Sequence, residues 1–148
     1  MGRYSDFNGA ENYARVVMKQ DLDWCKTNGK ELMPVIFPGF SWHNLQKSGE
    51  NPDKPGPYNQ IPRKQNGGYF LEKQGIENIQ NGATMLYVAM FDEVNEGTAI
   101  FKCSKSPPIL KDGLQFVPYE ESEDFYLKLA GKIGRSLKAL GAESHIAE

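Results

Sequence analysis

The segment TMLYVAMFDEVNEGT, residues 84 to 98, decides how this chain is read. Its first half, Thr84 to Phe91, is the strongest strand signal in the sequence: apolar, aromatic and β-branched, with no Gly or Pro. A continuous apolar run fits a strand covered on both faces, as in a parallel sheet. The second half places Asp92, Glu93 and Glu96 directly after that strand. A buried strand needs no such acids at its end for stability. Like charges this close raise one another's pKa and cost free energy unless something uses them.

A second run lies upstream. Leu32-Met33-Pro34-Val35-Ile36-Phe37 is short, apolar and stopped by Pro38-Gly39. Pro34 then belongs at the start of the strand, where its missing N–H does least harm. Ahead of it, Asn8 opens a helical pattern with Glu11 as a capping-box-like partner. Ala14, Val17, Met18, Leu22 and Cys25 form its apolar stripe, and Asn28-Gly29 ends it. Between the two strands, residues 38 to 68 read as a long connection, and Tyr69 to Asn81 as a helix that Gly75 weakens. A connection of that length is unusual unless it is functional. Short extended pieces are expected at residues 98–103 and 114–117. A last helix, capped by Ser122, would bury Tyr126, Leu129, Ala130, Ile133, Leu137 and Leu140.

Strands alternating with helices imply βαβ units and a parallel sheet. Both clear strands run into loops rich in polar and aromatic residues, which in a (β/α)₈ barrel build the active site. A full barrel takes roughly 250 residues, and this chain has 148. Gly2-Arg3-Tyr4 reads as the end of a strand whose body is absent. Two α/β architectures fit: a small open sheet, or a partial (β/α)₈ TIM barrel holding about the last three to four βα units. The second is preferred, with residues 1–141 as the C-terminal half of the barrel and 142–148 as a disordered tail.

Charge narrows the partners. The 17 Lys and Arg are scattered among 19 Asp and Glu, for a net charge of -2. That argues against nucleic acid and anionic membranes, which need clustered basic surface. No stretch approaches the ~20 apolar residues of a membrane span, and the start lacks a signal-peptide pattern. Cys25 and Cys103 form no metal spacing and read as two buried free thiols. His43 and His145 are too few for a histidine metal site, so no cofactor is expected.

Glycoside hydrolysis needs two carboxyl groups, one to protonate the leaving oxygen and one as base or nucleophile. Glu93 and Glu96 are the candidates; the bland reading is a pair of solvated loop acids. Trp42 and His43, after the first strand, suit a sugar subsite, since flat aromatics cover the apolar face of a sugar ring. Tyr4 is a similar candidate. Arg63 fits a substrate hydroxyl or a loop salt bridge, and Asp92 would orient Glu93 or the loop backbone. Trp24 reads as core, Tyr58 and Tyr69 as packing residues.

FDEVNEGTAIF, residues 91–101, resembles the NEWHEGT-type signature of the endo-α-mannosidase-like glycoside hydrolases of family 99, often grouped with the family 71 α-glucanases. GRYSDFNGAENYARVV, DLDWCK, PVIFPGFSWHN, IPRKQNGGYFLEKQ and YLKLAGKIGRSLK extend the likeness over most of the chain. The resemblance implies a TIM barrel acting on an α-linked oligosaccharide or polysaccharide with retention, in a secreted or periplasmic protein. It implies that Glu93 takes the proton of the sugar's own 2-OH, giving a 1,2-anhydro sugar, and that Glu96 is the general acid/base. Two positions depart: the Trp and His between the family's acids are Val94 and Asn95 here. The N-terminal barrel half is missing from this chain. The competing expectation is a carbohydrate-binding or truncated remnant without catalysis.

Overall fold

A computed structural model describes residues 6–50, 52–56, 68–109, 115–117 and 121–144. The helical first segment comprises α1 (Phe7–Tyr13), a π-helical stretch (Ala14–Met18) and α2 (Lys19–Thr27). Its cap is Asp6, whose carboxylate accepts from Gly9 N at 2.7 Å, rather than Asn8. Glu11 makes no capping box and instead pairs with Arg15 and Lys73. The π-helical turn changes the register of the stripe. Ala10, Ala14 and Leu22 are buried, but Val17 lies at the surface and Cys25 is only half-buried. The expected stop holds, with Gly29 in the left-handed region at φ 62°. Trp24, read as core, is 61% exposed, because it sits on the outer face of α2.

The sheet consists of β1 (Val35–Ile36) and β2 (Tyr87–Val88), paired in parallel with Val35 beside Tyr87 and Ile36 beside Val88. Tyr87 N donates to Pro34 O and Ala89 N to Ile36 O, both at 2.9 Å. Both strands are shorter than their apolar runs. Where three or four strands were expected, the described residues hold two. Residues 98–103 are not a strand but fold back on the end of β2, and residues 115–117 are irregular. Leu114 and the Gly2-Arg3-Tyr4 segment lie outside the described residues.

Helix α4 (Tyr69–Gln80) links the two strands, and α5 (Phe125–Ser144) follows β2. One core joins Ile36, Leu71, Ile79, Ile100, Tyr126, Leu129 and Ile133 between sheet and helices. A second joins Ala10, Phe37, Phe40, Phe70 and Ala89. In the stripe of α5, Tyr126, Leu129 and Ile133 are buried as expected, Ala130 and Leu137 are only partly buried against that core, and Leu140 is exposed. Ser122 precedes α5 by three positions; its carbonyl accepts from Phe125 N and its hydroxyl donates to Asp124. The helix continues to Ser144, past the boundary expected at Gly141.

The opposite face of the sheet is open. Val35 is 39% and Tyr87 44% exposed, and Met33 beside them is also exposed. The expectation of strands buried on both faces is therefore met on one face only. The apolar run encodes a two-sided burial that the described residues do not complete.

Two interactions hold α4 in place. Gly75 lies where α5 crosses it, and a Cβ there would meet Ile133 Cγ2 at 2.7 Å. The residue that weakens the helix in isolation is what lets the two helices approach. Glu77, buried on α4, receives a bidentate Arg15 (3.2 Å twice) and Lys73 at 2.9 Å. Burial pushes the Glu77 carboxyl up, but the hydrogen bonds and charges of Lys73 and Arg15 outweigh it, and the net direction is down.

Gly75→Ala is expected to destabilise by about 1–3 kcal/mol through overpacking, against its gain in helix propensity; denaturant melts measure it, and a stabilised variant would show that α5 does not press on this site. A depressed carboxyl contributes stability above its unfolded pKa that is lost as pH falls through the folded one. Glu77→Gln should therefore cost about 1–3 kcal/mol at neutral pH and progressively less in acid. A cost independent of pH would mean that the ion pairs are not what Glu77 contributes.

Candidate active site

Parallel pairing puts the C-terminal ends of β1 and β2 side by side, so the loops that follow must meet. After β2 the chain doubles back. Met90 N donates to Thr98 O at 3.2 Å, and Ile100 N to Met90 O at 3.1 Å. The intervening loop carries the acids. Within it, Thr98 N and Ala99 N both donate to Glu93 O at 3.2 Å, Val94 N to Asp92 O at 2.8 Å and Gly97 N to Val94 O at 3.2 Å. Gly97 turns the chain at φ 74°, and a Cβ there would meet Val117 Cγ2 at 2.5 Å. Any side chain at 97 would lift the loop off Val117.

The loop after β1 braces this turn. Ser41 caps the short helix α3 (Trp42–Leu45), its Oγ accepting from Asn44 N at 3.2 Å. Ser41 N donates to Glu96 O at 2.7 Å, and Asn44 Nδ2 to Asn95 O. So the connection read as irregular contains a helical turn that holds the acidic loop by its backbone. On its far side, Gln74 of α4 donates to Phe37 O at 2.8 Å and accepts from Phe37 N at 3.2 Å. It satisfies the end of β1 as a neighbouring strand would.

Glu93 and Glu96 are both half-buried. Thr98 Oγ1 lies 3.4 Å from Glu93 Oε2. Neither carboxylate has a cationic partner among the described residues, whereas Glu77, buried on α4, has two. Burial pushes the Glu96 carboxyl up, and the Glu93 charge pushes it further the same way. The pair therefore favours a proton on Glu96, as a general acid requires.

The remaining candidates divide. Trp42 borders the acidic loop through Ser41 and is 43% exposed, with its ring edge against Phe40 at 5.1 Å. His43 is half-buried, its Nδ1 at 2.8 Å from Gly56 O, so the ring is held by its own loop. Asp92 is exposed, and it is its main-chain carbonyl that engages Val94. Tyr69 packs edge-on against Phe7 at 5.4 Å. Tyr4, Tyr58, Arg63 and His145 lie outside the described residues. Cys25 and Cys103 are free thiols but half-buried rather than buried. A cavity of about 210 Å³ next to the loop is lined by Val94, Phe101, Cys103, Phe116 and Val117, among others, and by neither glutamate.

Ser41, Asn44, Gln74, Gly97 and Val117 were not legible as site residues. Ser41 and Asn44 stand beside Trp42 and His43 in sequence, and only the meeting of two distant loops gives them a task.

No family model and no curated protein matches this sequence. Two solved structures of the GH99 endo-α-mannosidase from Bacteroides thetaiotaomicron are similar to it. The complex with bis-tris propane matches with a TM-score of 0.62 and 18% identity, over 90% of this chain and 37% of that one. The other matches with a TM-score of 0.65 and 16% identity, over 90% of this chain and 35% of that one. The fold is thus that of part of a GH99 structure, and this chain spans little more than a third of those chains, 37% and 35%.

Carboxyl-carbon NMR on the protein should find Glu96 titrating above the usual glutamate value, and Glu93→Gln should bring it part of the way back, leaving the share due to burial. An unchanged Glu96 midpoint in that variant would mean that the two side chains do not face one another.

Proposed function

We propose that residues 1–141 are the catalytic-side part of a family 99-like (β/α)₈ glycoside hydrolase that cleaves α-linked glycans with retention. Glu93 would act as the base on the substrate's 2-OH. Glu96 would protonate the leaving oxygen and then activate water. Trp42 would flank the sugar. What carries this reading is the pair of half-buried glutamates with no cation beside them among the described residues, at the end of a parallel strand in a GH99-like fold. Enclosed carboxylates without a cation are costly, and function is the usual reason that such a cost persists.

The open sheet face supports the incomplete-barrel part of the proposal. Val35 and Tyr87 offer apolar surface to further βα units, which would also bring the rest of a substrate cleft. The same open face, with Val94 and Asn95 between the acids, favours a second reading: a carbohydrate-binding or remnant domain that no longer turns over. Calorimetric binding of an α-linked oligosaccharide with no product released would select that reading.

The test joins this chain to further βα units that close the barrel and assays it on α-linked manno- and gluco-oligosaccharides. Glu93→Gln and Glu96→Gln should each lower turnover by about 10²–10⁴-fold, the usual worth of general acid–base catalysis, with melting unchanged. A raised Glu96 pKa keeps the acid protonated further toward neutrality, so kcat/KM should fall only as pH rises through that value. Near-normal rates in both variants would end the catalytic reading.

A further inference from the structure

The sequence gives Asn44 no evident task, yet its side chain is 1% exposed and both of its donor hydrogens are used. Nδ2 lies 2.5 Å from Asn95 O and 2.7 Å from Gln115 O. These carbonyls come from two separate segments without regular structure. The backbone next to Asn44 is equally committed: its own N–H goes to Ser41 Oγ, and its carbonyl accepts from Ser48 Oγ at 2.7 Å. Three positions back along the same turn, Ser41 N reaches Glu96 O at 2.7 Å. Asn95 and Glu96 are thus held at consecutive carbonyls by a single rigid turn.

We propose that Asn44 is a positioning residue for Glu96: its buried amide pins the Asn95 carbonyl and so fixes where the Glu96 carboxyl stands. The proposal rests on the reading of Glu96 as the proton donor, but its geometry can be tested without catalysis. The amide is suited to the task because its two N–H groups point at two acceptors in one plane. A carboxylate of the same shape would turn two lone pairs on two carbonyls, and an apolar side chain would give neither carbonyl a donor from this turn. In either case the loop should lift toward water. Glu96 would lose part of the burial that raises its carboxyl, and the Ser41–Glu96 bond would loosen with it.

The experiment compares Asn44→Leu with Asn78→Leu in the chain as it is. Asn78 is also a buried amide, but it donates to Gln74 O within α4, away from the acidic loop. The readouts are the titration of the Glu96 carboxyl carbon and hydrogen exchange at the Ser41 amide. In Asn44→Leu, Glu96 should titrate closer to a free glutamate, and Ser41 should exchange about tenfold faster, the worth of a hydrogen bond. Asn78→Leu should lower the melting temperature and move neither readout. An unmoved Glu96 in Asn44→Leu, or an equal movement in Asn78→Leu, overturns the proposal.

Should Asn44→Leu lose its cooperative melt, Asn44→Asp takes its place. A neutral Asp donates one O–H and an ionised Asp none. After correction for intrinsic rates, Ser41 exchange that is slow in acid and fast at neutral pH supports the pin; equal protection at both overturns it. These readouts are separate from turnover. Inactive glutamate variants alongside a moved Glu96 support both ideas, whereas fully active ones alongside a moved Glu96 remove the catalytic reading and leave the pin standing.

Discussion

The parallel register of β1 and β2 is the constraint from which the rest follows. Two backbone bonds, Tyr87 N to Pro34 O and Ala89 N to Ile36 O, define it. Parallel strands cannot be joined by a tight turn, so the chain between them must cross over, and α4 does this. The same register sends both strands out at one edge of the sheet. The loop with Ser41, Trp42 and Asn44 and the loop with Glu93 and Glu96 are therefore neighbours, although about fifty positions separate them. Antiparallel pairing of the same two runs would have put those loops at opposite ends.

So short a ladder needs support from outside the sheet, and most of it comes through α4. Its apolar side enters the core with Phe70, Leu71 and Ile79. Several of its buried polar groups find partners: Gln74 with Phe37, Glu77 with Arg15 and Lys73, and the Asn78 amide N–H with Gln74 O. Each would be costly to bury alone. Glu77 ties α4 to the first helical segment, and Gly75 lets α5 close on the other side. The helix thus fixes both neighbours at once, and through Gln74 it also fixes the end of β1 from which the Ser41 turn departs.

What the sequence made legible follows local chemistry. The helical patterns located α4 and α5, Asn28-Gly29 marked a real stop, and the apolar runs at 32–37 and 84–91 contained the two strands. The acids at the end of β2 were visible because their position is odd on electrostatic grounds alone. The failures are non-local. Trp24 and Leu140 are apolar residues whose burial depends on which face of a helix meets a neighbour. Val17 moved to the surface because a π-helical turn shifts the register of a stripe that assumed 3.6 residues per turn. The length of β1 and β2 was overestimated because apolarity reports burial, whereas strand assignment requires a partner across the ladder. Asn44 was invisible for a related reason: its partners, Asn95 and Gln115, are loop carbonyls far away in sequence.

The acidic loop and the Glu77 cluster show two treatments of the same group. At Glu77 the carboxylate is enclosed and compensated, its charge matched by two cations and its pKa driven down. At Glu93 and Glu96 the protein spends its hydrogen bonds on the backbone instead. Thr98 N, Ala99 N, Ser41 N and Asn44 Nδ2 all go to main-chain carbonyls of the loop. Among the described residues, Glu93 keeps one long contact to Thr98 Oγ1, and neither side chain gains a cation. A loop that needed these acids only for solubility would turn them outward, and a loop that needed them for stability would give them cations. Holding the backbone hard while giving the two carboxyls no cation among the described residues raises the proton affinity of Glu96, through burial and the nearby Glu93 charge. Of the two treatments, only this one raises a carboxyl's affinity for its proton, the direction that a proton donor would need.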